Sequence, residues 1–174
     1  MYGSMHFLVL NHVGPNNSGA LKQRGVRTAI AMAVDKAAVA QLAGGPAVAR
    51  PLNQAVPSSG AGYGVGADQA ATPQDHGDPA AASRLLAEAG YPNGISLTLA
   101  YPVYSSLAIT AQSLQASMKR AGITLRLVPS TTGDFWGRLL PNPENARRGE
   151  CELRRPVRDV TPGVPRTRPD RAIP

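Results

Sequence analysis

The sequence predicts an α/β fold, and three neighbouring segments carry that prediction. Ile95–Tyr101 and Ile123–Val128 alternate apolar and polar side chains, which is the pattern of a β-strand with one buried face. Between them, Ser106–Ala121 repeats apolar residues every three or four positions, as a helix with one apolar stripe does. A strand, a helix and a second strand joined by short links predict a right-handed βαβ unit with parallel strands.

The sequence also marks both ends of the helix that precedes this unit. Asp78 can accept hydrogen bonds from the free N–H groups of a first turn, and Pro79 suits the first helical position. Gly90 suits the left-handed position after the last turn, and Pro92 cannot continue the helix. The apolar face of this helix comprises Ala82, Leu85, Leu86 and Ala89.

The first half of the chain predicts a strand, a long helix and a long loop. Met5–Leu10 is a short apolar run typical of a buried strand. Leu21–Ala43 follows as one helix that ends before a Gly-Gly-Pro sequence, and Gly25 favours a late start because glycine has a low helix propensity. Pro46–Gly77 is rich in Gly, Pro, Ser and Asp, so we expect a long surface loop there.

The charge of the chain does not point to nucleic acid. The formal net charge of the 174 residues is +7, and residues 151–174 hold six Arg against three Asp or Glu, a net of +3. The remaining charges are scattered, without the interleaved aromatic side chains of a base-stacking surface. We therefore expect no nucleic-acid partner.

No motif for catalysis, a metal or a cofactor is present in the sequence. The sequence contains no motif that pairs a nucleophile with a general base. Its three histidines lack both the spacing of metal ligands and neighbouring Cys, Asp or Glu residues. Its single cysteine cannot form an internal disulfide. Gly60–Gly66 lacks the Lys-Ser/Thr pair of a phosphate loop, so we interpret it as a turn. We expect no enzyme activity, no catalytic residue and no cofactor.

Membrane and export signals are also missing from the sequence as written. No apolar run approaches the ~20 residues of a membrane-spanning helix. The first residues lack the basic stretch and apolar core of a signal peptide. The chain alone is therefore expected to be soluble and not to be exported.

Two segments resemble one family. Val26–Lys36 resembles the signature VR-x-A-hydrophobic-x-x-A-hydrophobic-D-[RK], and Asp78–Gly94 resembles the segment DP-x-x-A-x-x-LL-x-x-AGY-x-x-G. Both patterns are typical of the family 5 extracellular solute-binding proteins, which are the peptide- and nickel-type receptors of bacterial ABC importers. The resemblance covers about residues 5–150. The sequence differs from the family pattern at Gln23–Gly25, where the family usually carries an acidic residue and an Arg.

The resemblance implies both a fold and a function. Residues 1–150 would be a partial lobe of a type II periplasmic-binding-protein fold. The chain would be a fragment of the substrate-binding component of an ABC importer for oligopeptides or similar small solutes. The intact protein would act with permease subunits as an extracytoplasmic receptor, periplasmic or lipid-anchored, and we expect it to be a monomer.

Candidate ligand-binding residues follow from a rule for open α/β sheets. Ligands lie beyond the carboxyl ends of the strands. This rule points to Asn11 and His12 after the first strand, and to Tyr101, Ser105 and Ser106 after the second. A structural role is the alternative for each of them, because loop Asn, His and Ser side chains usually bind nearby backbone groups.

The amino-acid composition of the chain changes at Cys151. Residues 151–174 contain five prolines and six arginines without an apolar period, and the family resemblance stops there. Such a segment cannot bury enough apolar surface to fold, so we expect a disordered tail. It is either a natural basic tail or sequence read in a shifted frame, and we favour the second.

An alternative function is a free-standing fragment that binds no solute, or a protein-interaction module without a transport role. The DNA upstream of Met1 distinguishes the two functions. A signal peptide and a first lobe encoded there, in frame or one base away, would support the receptor. An unrelated gene or a promoter would support the alternative.

Overall fold

A mixed sheet flanked by helices forms the structure, a computed structural model that describes residues 6–12, 19–53, 71–104, 106–139 and 151–154. Its strands are β1 (Phe7–Leu10), β2 (Ile95–Pro102), β3 (Ile123–Ser130) and β4 (Cys151–Arg154). The longer helices are α1 (Arg24–Ala33), α2 (Lys36–Leu42), α3 (Pro79–Glu88) and α4 (Ser106–Lys119). Short helical turns cover Ala20–Lys22, Pro73–Asp75, Thr132–Asp134 and Phe135–Leu139. Among the described residues, no helix combines the length and the apolar composition needed to cross a membrane.

The strand order within the sheet is β1-β4-β2-β3. β2 pairs in parallel with β3 over its whole length, from Ile95 opposite Ile123 to Pro102 opposite Ser130. β2 also runs parallel to β4, whereas β1 runs antiparallel to β4. The predicted parallel pair with an intervening helix is therefore confirmed, and the sheet as a whole is mixed.

The main core lies between one face of the sheet and the helices. The predicted apolar stripe of α4 is buried, and so is Ala121, which follows the helix. Every second residue is also buried over Leu97–Tyr101 in β2 and over Ile123–Leu125 in β3. These core residues are Leu97, Leu99, Tyr101, Leu107, Ala111, Leu114, Met118, Ala121, Ile123 and Leu125. The two-residue period of the strands and the period of about 3.6 residues in α4 therefore identify the faces of the sheet and of the helix that pack against each other.

Helix α3 begins and ends where the sequence predicts. The Asp78 carboxylate accepts a hydrogen bond from the Ala81 N–H at 2.8 Å, and Pro79 is the first helical residue. Leu86 is fully buried, whereas Leu85 is only half-buried against the core. The face of α3 that carries them packs on α1, which adds a second helix layer beside the sheet.

The single helix predicted from Leu21 to Ala43 is wrong, because the structure has two helices there. Val34 is extended, and the Asp35 carboxylate accepts a hydrogen bond from Ala38 N–H at 2.8 Å to begin α2. The Met32 carbonyl, which a continuous helix would offer to Lys36 N–H, accepts instead from Asp78 N–H at 2.7 Å. A contact distant in sequence therefore ends α1.

The late start that Gly25 favours is confirmed, because α1 begins at Arg24 rather than at Leu21, although Gly25 itself lies in the first turn. A Cβ atom added to Gly25 would lie 3.6 Å from the Ala89 Cβ, an ordinary van der Waals contact. Gly25→Ala should therefore stabilise the chain by about 0.4–1 kcal/mol, because alanine restricts the unfolded chain more than glycine does. A thermal melt tests this, and a lowered melting temperature would show that α1 and α3 cannot accept the methyl group.

Leu114 offers a test of the core. Its side chain is 3% exposed, and it also borders a cavity. Leu114→Ala should destabilise the chain by about 2–3 kcal/mol, the lower part of the range for buried leucines, because one side of Leu114 already faces empty space. Urea melts measure this loss. Coincident curves for the variant and the parent would contradict the burial of the α4 stripe.

The boundary predicted at Glu150 needs correction for four residues. Cys151–Arg154 form strand β4 rather than the start of a disordered tail, because backbone pairing with β1 and β2 requires no long apolar pattern. Residues 155–174 lie outside the described residues, and disorder there stays a prediction. Gly60–Gly66 and most of the predicted loop also lie outside them.

Candidate functional site

The carboxyl ends of β2 and β3 meet at one edge of the sheet, which we call the carboxyl edge: Tyr101–Tyr104 and Ser130–Thr131. Val103 N–H donates to the Ser130 carbonyl at 2.8 Å, so the pairing of the two strands continues past the end of β2. Helix α4 starts at this edge, at Ser106. In open α/β sheets this is the edge at which ligands bind.

The predicted site residues after β1 lie at the opposite end of the sheet. Leu10 and Leu99 both pair with Cys151, so they lie on one row of the sheet. Because β1 is antiparallel to β4, the chain continues from Leu10 toward the amino end of β2 and carries Asn11 and His12 with it. The structure therefore does not bring these two residues together with Tyr101, since the rule that selected them assumes parallel strands.

The predicted residues after β2 are at the carboxyl edge, but the side chain of Tyr101 is not open to solvent. It is 7% exposed and belongs to the main core. Ser106 is the first residue of α4, and Ser105 lies outside the described residues. The burial of Tyr101 indicates a packing role, and ligand binding by Asn11, His12, Ser105 and Ser106 stays a prediction.

A cavity of about 580 Å³ is lined by residues of β1, α2, α4 and the segment that follows α2. The reversed direction of β1 brings its amino end to the same end of the sheet as the carboxyl edge, where His6 and Leu8 line the cavity. Helix α2 contributes Lys36 and Val39, and the segment 46–52 that follows α2 lines a further wall. Helix α4 contributes residues from its second and third turns, Thr110 and Leu114.

The lining of the cavity combines apolar and basic side chains. Leu8, Val39 and Leu114 pack against the main core, whereas Lys36 and Arg50 carry positive charge. Among the described residues that line the cavity, none is acidic. The arrangement suits a small molecule that has both apolar and polar parts.

Asp35 is next to Lys36 in sequence, yet it does not line the cavity. Its carboxylate caps α2, lies 3.3 Å from His76 Nδ1, and accepts a hydrogen bond from Arg120 Nη2 at 3.3 Å. These partners come from the segment before α3 and from the end of α4. The negative charge of Asp35 is therefore engaged by residues that do not line the cavity.

A chain of hydrogen bonds holds Lys36 in place. The Lys36 ammonium donates to Asn53 Oδ1, and Asn53 Nδ2 donates to Asp75 Oδ1 at 3.2 Å. Asp75 and Gln74 both have positive φ angles, of 60° and 53°. These contacts join the segments on both sides of residues 54–70 to the first turn of α2.

The cavity residues were missed in the sequence because four separate segments contribute them. His6 precedes a strand, and Thr110 is one polar residue within the apolar stripe of α4. Of the lining residues, Val34 and Lys36 belong to the signature segment Val26–Lys36, and Leu114 belongs to the predicted stripe of α4. Within the part of the chain that the structure describes, no group of three or more His, Cys, Asp or Glu side chains could hold a metal ion.

Solved structures of binding proteins resemble this chain. The ABC transporter substrate-binding protein CtaP from Listeria monocytogenes matches with a TM-score of 0.70 and 23% identity, over 87% of this chain and 29% of that one. MoaA from A. tumefaciens, in complex with mannopinic acid, matches with a TM-score of 0.67 and 25% identity, over 89% and 28%. The Helicobacter pylori periplasmic binding protein DppA, in complex with peptide STSA, matches with a TM-score of 0.64 and 21% identity, over 90% and 28%.

These neighbours show the fold, which is part of a periplasmic-binding-protein fold. The chain spans less than a third of the length of each of them. No curated protein matches the sequence. The family described as "Bacterial extracellular solute-binding proteins, family 5 Middle" matches residues 1–144, most of the chain. The chain therefore belongs to the family 5 bacterial extracellular solute-binding proteins.

Proposed function

We propose that the chain is part of the substrate-binding component of an ABC importer for oligopeptides or similar small solutes. We further propose that the cavity between β1, α2 and α4 forms one side of its solute site. The observation that carries this proposal is the cavity itself, whose volume of about 580 Å³ lies in the range of small-molecule sites. Its described lining residues all lie within the segment that matches the family.

The structural neighbours support a small polar solute. One of them is a complex with a peptide, another a complex with mannopinic acid, and a third, NikA from Brucella suis, a complex with Fe(III)-EDTA. The family role also implies an ABC permease as the partner and an extracytoplasmic location. We expect the protein to be a monomer without catalytic activity.

The chain alone should bind its solute weakly. It spans less than a third of the length of its structural neighbours, so it supplies only part of the surface that encloses a solute in a protein of that size. Association costs several kcal/mol of lost translational and rotational freedom, which partial enclosure offsets only in part. We therefore expect dissociation constants in the millimolar range for the isolated chain.

Backbone amide NMR spectra of the isotope-labelled chain test this proposal. A mixed pool of di- to pentapeptides should shift the amide signals of α2, the second and third turns of α4 and the amino end of β1. Signals of α3, which does not border the cavity, should stay in place.

A matched pair of variants locates the binding. Ala40→Phe fills the cavity from α2 and should abolish the shifts, whereas Ala87→Phe adds the same ring to the exposed face of α3 and should leave them intact. If the peptides shift no signals, or shift them equally in both variants, then the solute site is not in this cavity. An absence of shifts in the parent would favour the non-binding alternative.

A further inference from the structure

We infer that Asp75, which is not among the described residues that line the cavity, positions part of the cavity lining. The Asp75 carboxylate accepts a hydrogen bond from Asn53, and Asn53 in turn accepts one from the Lys36 ammonium, which does line the cavity. The inference rests on the proposed function, since it assigns a positioning residue to the proposed solute site. It concerns the shape and the order of the site, whichever solute the cavity accepts.

The chemistry of the three side chains fixes the direction of both hydrogen bonds. A lysine ammonium can only donate, and an aspartate carboxylate can only accept. The Asn53 amide can do both, so its Oδ1 accepts from Lys36 and its Nδ2 donates to Asp75 Oδ1 at 3.2 Å. A reversed amide would present a group of the wrong kind to each partner. Asp75 therefore selects the orientation in which Asn53 binds Lys36.

The turn that carries Asp75 has a strained backbone. Gln74 and Asp75 have φ angles of 53° and 60°, in the left-handed region. This conformation is costly for residues other than glycine, and it persists where the surrounding contacts impose it. Two consecutive residues of this kind point to a constraint on where the turn places its side chains.

Contacts with the junction of α1 and α2 impose the conformation of this turn. His76 Nδ1 lies 3.3 Å from the carboxylate of Asp35, which caps α2. Two residues further on, Asp78 N–H donates to the Met32 carbonyl at 2.7 Å. The turn is thus fixed to the residues on either side of the start of α2, and the Asp75 carboxylate reaches Asn53 from a fixed position.

Two parts of the cavity lining depend on the contacts of Asn53. One is Lys36, the first residue of α2, and the other is the segment 46–52, which Asn53 directly follows. Toward its other end, this segment is held by the Ala49 N–H, which donates to the Gly45 carbonyl at 2.8 Å. Loss of the Asn53 contacts would therefore release the Lys36 side chain and one end of the segment together.

A matched pair of glycine substitutions separates positioning from folding. Asp75→Gly removes the carboxylate and relieves the left-handed strain, so the melting temperature should stay unchanged. Gln74→Gly relieves the strain at the neighbouring residue and keeps the carboxylate. Asp75→Asn keeps an oxygen that can accept from Asn53, so it should behave like the parent. Thermal melts verify that each variant is folded.

The rate at which acetic anhydride acetylates Lys36 in the full chain, followed by mass spectrometry, measures its release. A lysine held in a hydrogen bond reacts only after that bond opens. Asp75→Gly should therefore raise the rate about two- to tenfold, the factor that corresponds to one net hydrogen bond. Gln74→Gly and Asp75→Asn should leave the rate unchanged, and so should every variant at Lys22, an exposed lysine that serves as the internal control.

A second variant shows whether Asp75 acts through Asn53. Asn53→Ala should raise the rate at Lys36 at least as much as Asp75→Gly does. Adding Asp75→Gly to Asn53→Ala should raise it no further, because residues that act in one chain of contacts are not additive. A further increase in the double variant would show that Asp75 acts on Lys36 by another route and would overturn the inference.

The peptide pool connects this positioning to the solute site. At a fixed concentration of the pool, the amide shifts of α2 and α4 should be several-fold smaller in Asp75→Gly than in the parent, Gln74→Gly or Asp75→Asn. Smaller shifts are expected because a released Lys36 side chain and segment must be ordered again when a solute binds.

The outcomes separate the inference from the proposed function. An unchanged rate at Lys36 in Asp75→Gly, or an equal rise in Gln74→Gly, would overturn the inference and leave the proposed function standing. A raised rate with unchanged peptide shifts would also overturn it, because the release of Lys36 would then have no effect on the site. If the pool shifts no cavity signal in the parent, the proposed function is wrong, and the rate at Lys36 still decides whether Asp75 positions that side chain.

Discussion

Truncation of the chain after Glu150 should destabilise it severely, whereas truncation after Arg154 should leave its melting temperature unchanged. Strand β4 lies between β1 and β2 and pairs with both. Its removal leaves β1 without a partner among the described strands and exposes the backbone groups of β2 on that side. At about 0.5–1.5 kcal/mol for each net backbone hydrogen bond, we expect a loss of at least about 3 kcal/mol.

Circular dichroism melts of the two truncated chains measure this effect. A loss of about 3 kcal/mol in a chain of this size corresponds to a melting temperature lowered by about 6–12 °C. If both truncated chains melt like the parent, β4 does not form in solution. If truncation after Arg154 also lowers the melting temperature, residues 155–174 pack on the fold, and the shifted-frame explanation of the tail is wrong.

Gly94→Ala should be a severely destabilising substitution. A Cβ atom on Gly94 would lie 2.0 Å from the Gly122 carbonyl oxygen, and φ at Gly94 is +81°. The same oxygen accepts a hydrogen bond from Ile95 N–H at 3.1 Å, so it cannot move away without breaking the start of the β2–β3 pairing. We expect a cost of at least about 4 kcal/mol, which combines the steric overlap with the left-handed strain.

Gly122→Ala provides the matched control. Its φ is +79°, but an added Cβ would meet only the Gly94 Cα, at 3.6 Å. This substitution should cost about 1–2 kcal/mol, from the left-handed conformation alone. Urea melts of the two variants measure their free energies of unfolding. The difference between the two losses is the cost of the steric overlap at Gly94. Equal losses would contradict the close approach of the two turns that precede β2 and β3.

The sequence predicts those parts of the fold that depend on neighbouring residues. The alternation in β2 and β3, the stripe of α4 and the Asp78 cap of α3 are local patterns, and the structure confirms each of them. The break between α1 and α2, in contrast, does not depend on neighbouring residues. It depends on Asp78 N–H taking the Met32 carbonyl, a contact that no local pattern reveals.

The candidate site could not be predicted for the same reason. The direction of β1 depends on its pairing with β4, a strand of four residues that is too short for a clear period. That direction separates Asn11 and His12 from the carboxyl edge and brings His6 and Leu8 to it. The cavity then forms from segments that are adjacent only in the folded chain.

The residues that carry the family resemblance are mainly structural. Arg27 Nη1 donates to the carbonyls of Leu21 and Lys22, both at 2.8 Å, and so fixes the turn before α1. Asp35 and Asp78 cap α2 and α3. These roles explain why the two signature segments identify the fold and the family, although only Val34 and Lys36 of them line the proposed solute site.

A thermal-shift measurement with the peptide pool tests the solute-binding role of the cavity most directly. At a peptide concentration ten times the dissociation constant, binding stabilises the folded chain by about 1.4 kcal/mol, or about 3–6 °C in melting temperature. We expect this rise for the parent and for Ala87→Phe, and its loss in Ala40→Phe. No rise in the parent, or an equal rise in all three proteins, would contradict a solute site in this cavity.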